Sequence, residues 1–429
     1  MKIPRRLRAV KFRTSSSQVT SFAGLPLLFD LAIRLGLVRD LQNLTVKKRR
    51  RGIPIEDFVL SLAANFVIGG DSLSDLDVLR QEEVTRRLCH DLQVPAPTTA
   101  GERLASFGLG HIRQMQTINS TLVLSIDDRM GGDDVTTVDL DSSIIESHGY
   151  LREGARYGYK RGVKGLHPLL AFWYEPRLLL GCRLRAGNRR SDDGVESFIE
   201  EIMGAVPARR AIRFRMDAGF YSKKVEGLCL KHAAGFSISA ALTERLRMQI
   251  EMLPEETWRP YPWEEGAEWA EFSYQPRGWS APYRLLVKRT AWFEKEQRIL
   301  GEYFMTAVIT NLRGAGASLI RSHLARGGME NYIEEFKNGI GARHLPSRRF
   351  LANWAWLLIA TLAYNLGQAF KLLLLPSSEH HVQMKNLRLH WFNVAARWIR
   401  TGRQWVVALA RGPDTVRAFT HVQSLLRAI

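Results

Sequence analysis

Apolar positions change period several times along the chain, and the changes divide it. From Leu25 to Leu37 they recur at helical spacing, and they do so again from Ile55 to Ile68, behind Pro54 and ahead of Gly69-Gly70. Ser74 to Leu79, Val84 to Leu92 and Gly101 to Ile118 carry the same period. At Thr136 the pattern turns β-branched and apolar, so Thr136 to Ile145 is predicted as a strand. Leu169 to Tyr174 and Leu178 to Arg185, joined across Glu175-Pro176-Arg177, read as an antiparallel pair. Ala211 to Met216 alternates as a strand, with Ile212, Phe214 and Met216 on one face. Gly194 to Met203 and Lys223 to His232 read as helices, and Phe236 to Ser239 as a strand.

Beyond Thr243 the texture shifts. Trp258, Trp263, Trp269, Trp279 and Trp292 crowd into a stretch punctuated by prolines, and Phe272–Tyr274 and Arg284–Arg289 alternate as strands do. A β-rich insertion is expected, its aromatics either filling a thin core or stacking on an unpaired base. Tyr303 to Thr310 is a last apolar strand, and Ala317 to Asn338 a helix weakened by Gly327-Gly328. Leu351 to Leu375 is long enough to span a membrane, but Asn353, Asn365, Gln368 and Lys371 interrupt it, so a buried core helix is expected. Lys385 to Ile429 reads as a basic helical tail.

These changes predict an α/β protein with the following plan: a basic arm at 1–20, a helical module at 21–130, an α/β core at 131–242 and 303–376, the β-rich insertion at 243–302, and the tail at 377–429.

Charge then narrows the partner. Among 429 residues, 61 Lys and Arg stand against 43 Asp and Glu, a net charge of +18, which points to nucleic acid before anionic membrane. Cations cluster at Arg5, Arg6, Arg8, Lys11 and Arg13, and again from Lys47 to Arg51. The helical module fits either a helix-turn-helix-like DNA-binding domain or a packing domain without base contacts. Three widely spaced cysteines predict neither a disulfide framework nor a zinc site, and no apolar run follows the first residues. A cytoplasmic protein with no membrane partner is expected.

Three acid-bearing segments carry the candidate chemistry. Asp139 and Asp141 share one face of an apolar strand, where a carboxylate is costly unless it is paired or binds metal. Asp217 stands at a strand end beside Gly219. Glu330 follows Arg326 by four residues and precedes Lys337 by seven, and His323 lies three before Arg326, so helical periodicity puts all four on one face. Three carboxylates suit two Mg²⁺ ions about 4 Å apart, which activate one oxygen and stabilise another in phosphoryl transfer. Lys160, Arg161 and Lys164, among closely spaced glycines, favour phosphate.

At these residues the chain resembles the bacterial insertion-sequence transposases with a DDE triad on an RNase H-like fold, and within them the cut-and-paste group with a β-rich insertion. Asp141-Ser142-Ser143 matches the group's first-strand acid with its two small hydroxyl residues. Asp217-Ala218-Gly219-Phe220 matches its Asp and Gly-aromatic turn. His323-x2-Arg326-x3-Glu330-x6-Lys337 matches its Tyr-Arg-Glu-Lys helix signature, with His in place of Tyr. The resemblance implies an RNase H-like mixed sheet with flanking helices. It implies Asp141, Asp217 and Glu330 as catalytic metal ligands for two Mg²⁺, with Mn²⁺ able to substitute. The hydroxyl pair favours Asp141 over Asp139, which stays an alternative ligand. Arg326, Lys337 and His323 would face DNA, and an insertion aromatic, Trp292 as the candidate, would hold a flipped base. It further implies double-stranded DNA with terminal inverted repeats, a hairpin intermediate, target DNA for joining, and a homodimer in the synaptic complex. Two alternatives share the same residues: a DNA-binding protein that no longer cuts, and a nuclease of the same fold that hydrolyses without joining.

Overall fold

The computed structural model of the chain describes residues 18–46, 52–131, 134–147, 151–158, 162–208, 210–294 and 297–429, and for 292–302 only the backbone path. After a two-residue strand β1 (Val19–Thr20), the described residues form seven helices: α1 (Leu25–Arg34), α2 (Leu37–Gln42), α3 (Ile55–Ile68), α4 (Leu76–Gln81), α5 (Glu83–Leu88), α6 (Pro97–Ala105) and α7 (Leu109–Met130). Helix α3 begins behind Pro54 and stops where Gly69 takes φ 110°, a value that strains any side chain. All but two of its residues, Glu56 and Asp57 in the first turn, are buried, so α3 lies inside the molecule.

The α/β core follows. Its elements are β2 (Val135–Ser142), β3 (Ile145–Glu146), β4 (Arg156–Tyr157), β5 (Lys164–Leu166), β6 (Leu169–Trp173), β7 (Leu178–Arg183), α8 (Val195–Met203), β8 (Ala211–Met216), α9 (Lys223–Lys231) and β9 (Gly235–Ser239). Strands β2, β8 and β9 run parallel, and β6 and β7 add antiparallel on the other side of β2, giving the order β7-β6-β2-β8-β9. This is the strand order of an RNase H-like core. Strands β3, β5 and β4 form a separate small sheet just beyond the end of β2.

The insertion is continuous with the main sheet. It holds α10 (Glu244–Glu251), β10 (Arg259–Pro260), β11 (Ala267–Tyr274), β12 (Tyr283–Glu294) and β13 (Gln297–Thr310). These strands extend the core sheet to nine, because β13 runs on to pair with β9 from Val308 to Thr310. The boundary expected at residue 302 therefore falls inside a strand. Trp258, Trp269 and Trp279 are buried, as expected of core-filling aromatics, whereas Trp263 is exposed.

The helix expected from Ala317 to Asn338 is broken. It comprises α11 (Gly316–Leu324), a 3₁₀ turn (Ala325–Gly327), α12 (Gly328–Glu334) and a π turn (Glu335–Gly339). The break coincides with Gly327-Gly328, each of which costs roughly 1 kcal/mol of helix propensity relative to alanine.

Helix α13 (Phe350–Leu374) packs against α7, α3 and β7. Asn353, Thr361, Asn365 and Lys371 on it have hydrogen-bond partners. Asn365 accepts from Leu179 N at 2.8 Å and donates to Asn119 Oδ1 at 2.8 Å, and Lys371 Nζ donates to Val382 O at 2.9 Å. Such bonds remove the cost of burying amide and ammonium groups, so the helix is a core element despite its apolar length. The tail expected to be helical contains α14 (Met384–Leu387), a hairpin of β14 (Ala396–Thr401) and β15 (Gln404–Leu409), and α15 (Pro413–Ala428). Strand β14 also pairs with β1, so the end of the basic arm is built into a three-stranded sheet.

Candidate active site

Parallel pairing brings the two aspartates together. Leu140 of β2 lies opposite Met216 of β8, so Asp141 and Asp217, the next residue on each, emerge side by side at the same end of adjacent strands. Asp217 caps the 3₁₀ turn Ala218–Phe220, its Oδ1 accepting from Gly219 N at 2.9 Å. A Cβ on Gly219 would meet Ser191 Oγ at 2.7 Å, so glycine is required there by close approach. Asp141 Oδ1 accepts from Ser142 N at 2.7 Å, and Ser142 Oγ lies 3.2 Å from Ser191 Oγ.

Arg326 comes in from the 3₁₀ turn between α11 and α12. Its Nη2 is 2.9 Å from Asp141 Oδ2 and 4.0 Å from Asp217 Oδ2, and its Nε has no hydrogen-bond partner. Burial pushes the Asp141 carboxyl up to about 6; Arg326 pulls it down, and the Asp217 and Glu330 carboxylates add to the rise. Glu330 is exposed on the first turn of α12, facing this pair closely enough to be felt electrostatically.

One step down the same strand face, Asp139 is wholly buried and receives two bonds from Arg215, at 2.6 and 2.7 Å. Both carboxylate oxygens are thus engaged in a buried ion pair with Arg215. Arg215 also donates to Ser322 O at 2.5 Å and stacks on Tyr174. It thereby ties β2 and β8 to α11.

His323 does not share the exposed face that periodicity predicts. Its Nδ1 lies 2.9 Å from Ser237 Oγ and its Nε2 2.9 Å from Ser239 Oγ, both on β9. Burial and the nearby Arg326 and Arg215 push it down to about 3, so it stays neutral and joins α11 to the sheet. Helix α11 packs on β11 and β12, and His323 in its last turn reaches across to the β9 serines. Lys337 Nζ donates to Ser143 Oγ at 3.2 Å and Ile144 O at 2.9 Å, which holds the segment after β2. Lys164 lies on β5 in the small sheet beside that segment. Lys160, Arg161 and the Trp292 side chain fall outside the described residues.

Ser191 and Arg185 are neighbours that no sequence motif marks. Buried Arg185 donates to the carbonyls of His167, Arg190, Ser191 and Asp193 and so shapes the loop that presents Ser191 to the site.

The donor set is all oxygen and anionic, as a hard divalent cation requires, and the closeness of like charges makes a counter-cation favourable. In the present arrangement Arg326 is that counter-cation. Among the described residues, no three carboxylate, imidazole or thiolate groups gather closely enough to hold an ion.

Acids at the ends of adjacent parallel strands, on an RNase H-like sheet and with a third acid on a following helix, define the DDE class of phosphoryl-transfer folds. The chain belongs to the family described as Transposase DDE domain group 1, whose family model matches residues 4–429. Enzymes with this domain generally use divalent metal ions. Among solved structures, a cryo-EM structure of the piggyBac transposase synaptic complex with hairpin DNA is similar at 13% identity, with a TM-score of 0.43, covering 85% of this chain and 79% of that one. No curated protein matches the chain.

Proposed function

We propose that this DNA transposase binds the inverted-repeat ends of an insertion sequence, cleaves them by Mg²⁺-dependent phosphoryl transfer through a hairpin, and joins them to target DNA. The observation that carries the reading is the emergence of Asp141 and Asp217 side by side just past the paired Leu140 and Met216 of two parallel strands, with Glu330 within electrostatic reach and Arg326 neutralising the acids. Asp141, Asp217 and Glu330 would hold the metal, which supplies Lewis-acid stabilisation of the phosphoryl oxygens. Arg326 is the group that must move, and a DNA phosphate is the anion that would draw it off the carboxylates. Lys337 then stands close to the strand end, where it can meet the backbone of the transposon end. The family resemblance, with the helix signature intact apart from His323, supports the hairpin step, the inverted-repeat ends and a synaptic homodimer.

The test is cleavage of a duplex carrying the element's own ends in the presence of Mg²⁺. Asp141→Ala, Asp217→Ala and Glu330→Ala should each abolish cleavage while binding persists. Full activity in any of them removes that residue from the triad. Binding without nicking by the native chain would mark it as a DNA-binding protein that no longer cuts. Nicking without joined product from pre-cleaved ends would mark it as a hydrolytic nuclease.

A further inference from the structure

The catalytic face makes no use of the ribbon formed by β14 and β15. No acid occurs between Glu379 and Asp414, whereas Arg397, Arg400, Arg403 and Arg411 all fall on or beside the ribbon. Thr401 pairs with Gln404, so the turn is the dipeptide Gly402-Arg403, and Gly402 takes φ 60°, as a tight hairpin demands. Arg400, Arg403 and Arg411 are exposed, and none makes an ion pair among the described residues. The rings of Trp398 and Trp405 stack at 4.4 Å on one face, and the Arg400 guanidinium lies 5.9 Å from the Trp405 ring. This stack stiffens the ribbon, although Trp405 itself remains 54% exposed.

The ribbon is also joined to a second cationic stretch. Val19 of β1 pairs with Arg397, and β1 follows directly on the segment containing Arg5, Arg6, Arg8, Lys11 and Arg13. Exposed arginines without acids are complementary to a polyanion. A two-stranded ribbon also has the cross-section that the major groove of a duplex admits. An apolar protein partner fits less well, since the outward residues of the hairpin alternate Ile399 and Val406 with arginine and polar positions.

We propose that the β14–β15 ribbon is a duplex-DNA contact, distinct from the acid cluster, in which Arg400 and Arg403 bind backbone phosphates. It rests on the reading of the chain as a DNA transposase.

The experiment measures binding of the full chain to a fluorescent random-sequence duplex across a salt series. The slope of log K against log salt should fall by about two units in Arg400→Gln/Arg403→Gln, since each phosphate contact contributes about 0.9. The charge-conserving Arg400→Lys/Arg403→Lys pair should keep the native slope. Both positions are exposed, so thermal unfolding should match the native chain. An unchanged slope in the Gln pair, with salt-dependent binding intact in the native chain, overturns the ribbon alone. No salt-dependent binding by the native chain overturns the DNA reading beneath it. An unchanged slope with altered sedimentation would make the ribbon a protein interface and also overturn the proposal.

Discussion

Arg326 Nη2 lies 2.9 Å from Asp141 Oδ2 and 4.0 Å from Asp217 Oδ2, so one guanidinium stands where the two carboxylates converge. Cation and arginine cannot both neutralise the same pair at full strength, and binding of one must weaken the other. A phosphate that draws Arg326 away would therefore favour metal loading, and linkage makes that coupling reciprocal.

Arg326→Ala should bind Mn²⁺ more tightly than the native chain in the absence of DNA, by about tenfold on the scale of ordinary coupling energies. Electron paramagnetic resonance of free Mn²⁺ in a titration measures this directly. Equal affinities would show that the arginine does not compete for the site. The same variant should bind duplex DNA more weakly.

The buried Asp141 carboxyl makes the site a cost to the fold. Its ordinary value of 3.8 is raised to about 6, chiefly by burial, so the folded state takes up a proton that the unfolded state lacks. The resulting stability is full below about pH 4 and is lost as pH rises through about 6. Asp141→Asn should therefore melt above the native chain at about pH 8, and the gain should vanish towards about pH 4. Calorimetric scans across that range check the sign, and a variant less stable at high pH would contradict it.

The Asp139–Arg215 pair behaves differently, because each group is buried and each depends on the other. Asp139→Ala leaves Arg215 charged and unpaired inside the protein, a loss of about 3–5 kcal/mol. Asp139→Leu combined with Arg215→Met should cost less than the single change in denaturant titrations. Equal costs would mean that the arginine's bond to Ser322 O and its stacking on Tyr174, rather than the ion pair, dominate.

His323 is held neutral between Ser237 and Ser239 and is depressed from its ordinary 6.5 to about 3. For a base with a lowered value, the stability is present above about 6.5 and is lost as pH falls towards 3. His323→Gln should flatten the acid side of the stability curve below about pH 6.5. A curve as steep as the native one would place the proton uptake elsewhere.

The chain's own pattern determined a good deal. Helical spacing behind Pro54 and up to Gly69 marked α3 to the residue, and period-two alternation with an acid at the strand end located Asp141 and Asp217. Those signals are local, set by side-chain direction along one element. Asp139 and Asp141 share a strand face and look alike locally; only the partner strand, which sets Arg215 against one and Asp217 beside the other, separates them. Helical periodicity likewise put His323 with Arg326, Glu330 and Lys337, yet α11 packs on β11 and β12 and the histidine is buried against the β9 serines. The insertion's merger with the main sheet was equally hidden, because the pairing of β13 with β9 depends on residues some seventy positions apart. Sequence alone determined which residue types sit at which points of each element. Tertiary packing decided which charges meet, because pairing and burial belong to the neighbours across the sheet rather than to the chain's own order.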